Sequence, residues 1–201
     1  ITRSRDLESR LKACGADAER VHTIYNGVDT GLFRPASRLD ARRELGIPGG
    51  GRVLLFVGNF LPVKGLDLLL AAFAEVRQRS SVQVTLALIG SGPLEQSLKH
   101  QAAELGLSEH LLFAGRQPPA GVARWMQAAD AVCLTSHNEG VPNVVLESMS
   151  SGRPLISTNV GGIDEVTDPS MARRFLVGTR EAPQFAAAIL DALDHPPDEM
   201  V

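Results

Sequence analysis

A chain of 201 residues with 44% hydrophobic content carries enough apolar side chains for one well-buried domain with a short appendage. A net charge of -3 without long Lys/Arg runs argues against nucleic acid as a partner, because phosphate-backbone binding needs a concentrated basic face. Two cysteines are too few for a disulfide framework, no apolar run approaches the roughly 20 residues of a membrane span and no signal-peptide pattern is seen, so a reducing, cytoplasmic setting is expected.

In chain order, Ser4 can cap a helix reaching Ala13, with Cys14-Gly15 as its stop, and Val21-Tyr25 reads as a short strand before an Asn-Gly turn. Residues 1–20 are assigned to a linker or the remnant of a preceding domain, and residues 21–201 to the main domain. The cluster Arg38/Arg42/Arg43 is read as a solvated helix face. A short helix over Asp40-Leu45 closes at Gly46 with Pro48 beyond it, and Gly49-Gly50-Gly51 leads into the core. Apolar runs of strand length then alternate with amphipathic ones: Val53-Val57, a helix over Leu66-Arg79, Val82-Ile89, a helix over Leu94-Leu105, Leu111-Phe113 and a helix over Val122-Ala129. Ala131-Leu134 follows, then a helix over Pro142-Ser150, Leu155-Ser157, a short helix over Ile163-Val166, Phe175-Val177, and a last helix over Pro183-Leu193 before a loose Pro196-Pro197 tail. Six apolar strands joined by helical crossovers predict an α/β, Rossmann-like domain with a doubly wound, six-stranded parallel sheet covered on both faces.

Four of the strand-to-helix loops draw attention. Gly58 and Gly65 permit a tight turn after the first core strand, from which Lys64 can reach a diphosphate; the plainer alternative is a surface lysine ahead of a helix. Gly90 and Gly92, with Pro93 opening the next helix, can aim amides at the crevice or form an ordinary turn. No Gly-x-Gly-x-x-Gly array follows the first strand, which argues against a dehydrogenase. Glu139 lies in the loop after Ala131-Leu134, and Glu147 more than a turn inside the next helix. Two acceptor-only carboxylates suit a hydroxyl-rich ligand, while the amides between them, at Gly140, Val141 and Asn143, suit phosphate or carbonyl oxygens; Pro142 offers no N–H. Helix capping by Glu139 and simple solvation of Glu147 are the structural alternatives. No His/Cys cluster has metal-ligand spacing, so no metal is predicted. The Gly161-Gly162 segment reads as a backbone turn with Glu165 as a helix-start residue, and His137, beside Glu139, either as a contact to the ligand or as a structural or exposed loop histidine.

The segment His137 to Glu147 resembles the acidic motif of retaining glycosyltransferases with the GT-B fold, the large group that includes sucrose, glycogen and bacterial polysaccharide synthases. Tyr25-Asn26-Gly27-Val28-Asp29, Val57-Gly58-Asn59-Phe60-Leu61-Pro62-Val63-Lys64-Gly65, Ile89-Gly90-Ser91-Gly92-Pro93, Phe113-Ala114-Gly115 and Ser151 through Gly162 follow in the order of that family's donor domain. Together they span nearly the whole chain from Val21 onward. The resemblance implies transfer of a hexose-type sugar from a nucleoside-diphosphate donor to a hydroxyl, with retention, this chain being the carboxyl-terminal donor half. It gives Glu139 and Lys64 catalytic roles, Glu139 on the transferred sugar, Glu147 on the ribose hydroxyls, and Arg116-Gln117 beside the nucleobase. Gly58, Asn59, Gly90 and Gly92 join the donor-binding set, although many family members carry arginine where this chain has Asn59. Thr2 to Leu7 is similar to the end of the acceptor domain, so that domain is expected in the same polypeptide, with peripheral membrane association of the full-length enzyme left open. An epimerase or phosphorylase half, or a non-catalytic nucleotide-binding module, are the rival readings.

Overall fold

Capping signals set where the elements begin. A computed structural model describes residues 1–195, and the Pro196-Pro197 tail lies outside the described residues. Ser4 Oγ accepts the Leu7 N–H and starts α1 (Arg5–Ala13), which ends at Cys14 and Gly15 as its sequence predicts. Ser37 likewise starts α2 (Arg38–Glu44), two residues ahead of the expected onset. The core then runs β1 (Arg52–Val57), α3 (Leu66–Arg79), β2 (Val84–Ile89), α4 (Glu95–Glu104), β3 (Leu111–Gly115), α5 (Pro119–Ala128) and β4 (Ala131–Leu134). It continues with α6 (Asn143–Ser150), β5 (Leu155–Thr158), α7 (Pro169–Phe175), β6 (Leu176–Val177) and α8 (Ala182–Asp194).

All six strands are parallel, in the order β3-β2-β1-β4-β5-β6. The chain winds outward from β1 through β2 to β3, returns, and winds the other way from β4. Loops leaving the adjacent strands β1 and β4 therefore flank a crevice at the carboxyl ends of these strands, the usual ligand position of such sheets. Helices cover both faces, so β4 and β5 are buried along their whole length and β1 along all but its end residues. Phe56, Phe60, Phe73 and Phe185 are fully buried between the sheet and its helices.

Three expectations need correction. Val21-Tyr25 forms no sheet strand; a single parallel bridge joins Thr23 to Thr2, because α1 begins at Arg5 and leaves only a few residues to pair. Ile163-Val166 is a series of turns, and the helix starts instead at Pro169, behind Asp168, whose side chain accepts the Ser170 N–H at 2.8 Å. That Asp-Pro pair is a helix-start signal the apolar periodicity overshadowed. Arg42 is no solvated residue: it is 3% exposed and paired with Asp130, the residue before β4, while Arg38 reaches the same carboxylate and only Arg43 faces water.

Candidate functional site

The loops that follow β1 and β4 are sewn together at the crevice. Gly65 has φ 59°, and a Cβ there would lie 2.2 Å from the Thr135 carbonyl oxygen, so only glycine permits this approach. Thr135 Oγ1 donates to the Lys64 carbonyl oxygen (3.1 Å), and the His137 N–H to that of Val63 (2.8 Å). Across this seam Lys64 Nζ meets Glu139 Oε1 at 2.6 Å. Ser136 Oγ donates to the same oxygen, also at 2.6 Å. The side chains are 20% and 11% exposed, so the ion pair is sheltered but open at its mouth. Its second carboxylate oxygen, Oε2, has no protein partner among the described residues.

Glu139 is held from behind by the loop after β5. Gly161 (φ 62°) sits so close that a Cβ would lie 1.9 Å from the Glu139 carbonyl oxygen, and the Gly162 N–H donates to Gly140 O at 3.0 Å. The amides of Gly140, Val141 and Asn143 find no acceptor among the described residues, which leaves donors free where α6 begins. Pro142 precedes this helix instead of being its first residue, its ψ of 139° being extended. The Asn143 side chain accepts from Asn26 Nδ2 through Oδ1 at 2.6 Å. Glu147 is half-buried on α6; no hydrogen bond or ion pair joins its carboxylate to Lys64, Glu139 or any other described residue. Burial raises its pKa above the usual carboxylate range.

The glycines of the neighbouring loops act through packing. At Gly90 (φ 142°) a Cβ would lie 1.9 Å from the Gly58 carbonyl oxygen, and at Gly92 it would lie 2.5 Å from that of Phe60. The expected role of Gly90 as an amide donor is not met, because its N–H donates to Gly115 O at 2.9 Å; the Gly58 N–H likewise donates to Ile89 O. These residues shape the crevice floor by letting backbones touch. Asn59 is exposed at the mouth of the same loop. Arg116 is exposed at the end of β3, two strands from the ion pair, and Gln117 turns its amide back to Ala114 O at 2.7 Å.

Two participants escaped the sequence reading. Ser136 is a polar residue two positions after a buried strand, a signal available in principle. Arg180, between β6 and α8, donates to the Thr135 and Ser136 carbonyls and carries no such signal. Glu165 is not a helix-start residue: its carboxylate caps α1, accepting from the Arg5 and Asp6 amides at 2.8 and 2.9 Å and from the Tyr25 hydroxyl at 2.7 Å. Burial opposes its ionisation, but these donors hold its pKa below the usual value. Among the described residues no group of three or more His, Cys, Asp or Glu gathers as a metal site, and no helix is long and apolar enough to cross a membrane.

Comparison with known proteins gives a consistent picture. The family described as Glycosyl transferases group 1 matches residues 37–200. A D-inositol 3-phosphate glycosyltransferase of Thermobispora bispora is 35% identical over 204 residues, covering 98% of this chain and 47% of that protein. The enzyme of the same description from Nocardia farcinica is 34% identical, with 92% and 42% covered. The chain thus spans about half the length of the curated relatives it matches. Among solved structures, Anabaena HepE in complex with UDP and glucose superposes with a TM-score of 0.85 at 26% identity, over 96% of this chain and 53% of its own. Sucrose-phosphate synthase from Thermosynechococcus elongatus gives 0.86 at 28%, over 98% and 49%.

Proposed function

The chain belongs to the glycosyl transferases group 1 family, and from that premise we propose that it supplies the donor-binding half of an enzyme moving a sugar from a nucleoside-diphosphate sugar to a hydroxyl acceptor with retention of configuration. The Lys64–Glu139 pair at the β1/β4 switch point carries this reading. When donor enters, Lys64 turns from Glu139 to the diphosphate, and the free amides at the start of α6 add positive potential. As the bond from the anomeric carbon to the diphosphate oxygen breaks, its electron pair leaves with the nucleoside diphosphate, and Lys64 stabilises the growing charge. Glu139 accepts hydrogen bonds from the sugar hydroxyls and orients the ring for attack from the departing group's face. Glu147 takes the two ribose hydroxyls, and Arg116-Gln117 flank the base. The acceptor site and proton-transfer groups belong to a further domain of the polypeptide, in a cytoplasmic setting, so the chain alone binds donor without turnover.

Glu147 provides the test. Its folded pKa is raised, so the neutral acid favours the fold; that contribution is complete below the unfolded carboxylate pKa and is lost as pH rises through the folded value. At neutral pH the ionised carboxylate is therefore a cost, and Glu147→Gln melts higher than wild type without ligand, the gap closing in acid. In a thermal-shift panel of nucleoside diphosphates and their sugar conjugates, beginning with UDP and UDP-glucose because HepE is solved with both, wild type is stabilised by its cognate nucleotide. Glu147→Gln weakens that nucleotide about tenfold, having lost a charged acceptor. A panel in which no nucleotide shifts the wild-type chain contradicts the donor reading.

A further inference from the structure

Arg180 stands two strands beyond β4 in the sheet, yet its guanidinium reaches back to the crevice. Nη1 donates to the carbonyl oxygens of Thr135 (2.9 Å) and Ser136 (3.0 Å), and Nη2 lies 3.1 Å from His137 Nε2. One planar fork thereby fixes three consecutive residues of the segment leaving β4. The same Nη2 is 2.7 Å from the point a Gly65 Cβ would occupy, so it also abuts the loop that carries Lys64. Two of the three contact the Lys64–Glu139 pair directly, and the third, His137, donates its N–H to the carbonyl of Val63 beside Lys64. Thr135 Oγ1 donates to the Lys64 carbonyl, and Ser136 Oγ donates to the Glu139 carboxylate. No carboxylate pairs with Arg180 among the described residues, and its side chain lies at the surface.

We propose that Arg180 is a positioning residue for sugar recognition: by clamping the Thr135 and Ser136 carbonyls it aims Ser136 Oγ, and through it the Glu139 carboxylate, at the transferred sugar. This rests on the donor reading of the site. A fork suits the task because a guanidinium has donors enough to bind two carbonyls and a ring nitrogen together, whereas an ammonium has no fixed directions. Thr158 Oγ1 also donates to the Ser136 carbonyl, at 2.7 Å, so the backbone path survives loss of Arg180 while its aim loosens.

The experiment is calorimetric titration of the wild-type, Arg180→Ala, Arg180→Lys and Glu139→Ala chains with three ligand pairs: UDP and UDP-glucose, GDP and GDP-mannose, ADP and ADP-glucose. The readout is the ratio of affinities within the pair that wild type binds best. Arg180→Ala weakens the sugar conjugate about tenfold and the bare diphosphate by less than about threefold, at an unchanged melting temperature, and Arg180→Lys recovers part of the loss. If Glu139→Ala leaves conjugate binding unchanged, the assignment of Glu139 to the sugar falls and the role of Arg180 falls with it. If Glu139→Ala weakens the conjugate but Arg180→Ala alters neither ligand, or both equally, the positioning role alone is overturned.

Discussion

Lys64→Ala in the full-length enzyme lowers kcat/KM by about a hundred- to thousandfold, the loss of about 2.7–4 kcal/mol that follows removal of one preorganised donor to a developing negative charge. Lys64 earns this weight by its place. It sits immediately before Gly65, whose left-handed backbone closes the turn and starts α3, so the lysine is delivered to the crevice with little freedom in its backbone. Its 2.6 Å contact with Glu139 holds it there. The resting pair also sets a competing interaction that donor binding must overcome, and so Glu139→Gln has a divided effect. Without its anionic neighbour Lys64 is freer to meet a diphosphate, and the glutamine chain binds bare nucleoside diphosphate at least as well as wild type. Transfer nevertheless falls, because a charged acceptor for the sugar hydroxyls is gone. Steady-state kinetics of both variants beside diphosphate titrations check this. Equal kcat/KM in Lys64→Ala and wild type contradicts it.

Asp130→Ala lowers unfolding stability by about 3–5 kcal/mol, a large part of the 5–15 kcal/mol typical of a folded domain. Asp130 Oδ2 accepts from the Val53 N–H at 2.6 Å and from Arg42 Nη2, while Oδ1 accepts from Arg38 Nη1 at 3.0 Å and Arg52 Nη1 at 3.4 Å. Arg42 Nε is used as well, donating to Ala128 O at 2.9 Å. Removing the carboxylate leaves a buried guanidinium without its counter-charge, held only by the carbonyls of Ala128, Gly49 and Gly51, and a strand amide without its acceptor. The network ties α2 to the amino ends of β1 and β4, the opposite end of these strands from Lys64 and Glu139. Urea denaturation should therefore show a lowered midpoint with an unchanged slope, while nucleotide affinity in the absence of urea stays at the wild-type value. A loss below about 1 kcal/mol would mark the network as surface-like.

The parallel sheet was readable because buried strands appear as short apolar runs: Ala131–Leu134 and the helix Leu66–Arg79 have the very bounds their sequence suggests. Periodicity failed where a residue's role depends on a distant part of the chain. Arg42 looks solvated on α2 until Asp130, 88 residues on, is folded against it. Glu165 reads as a local helix start but serves the amides of α1 across 160 positions. Gly90 looked like an amide donor, whereas its neighbours show that absence of a Cβ is what matters. In the site, Lys64 and Glu139 were legible because loops at the carboxyl ends of two parallel strands converge by topology, and the resemblance supplied their order. Ser136 and Arg180 were hidden, since no local rule says which polar side chain will turn back to brace a loop.

The most direct test is an amide chemical-shift titration of the isotopically labelled chain with nucleoside diphosphate and its sugar conjugate. The account predicts that Gly140, Val141, Asn143 and the residues around Lys64 move with both ligands, and that Ser136 and Glu139 move further with the conjugate. Shifts confined to the amino ends of the strands around Asp130, or none at saturating ligand, would contradict it.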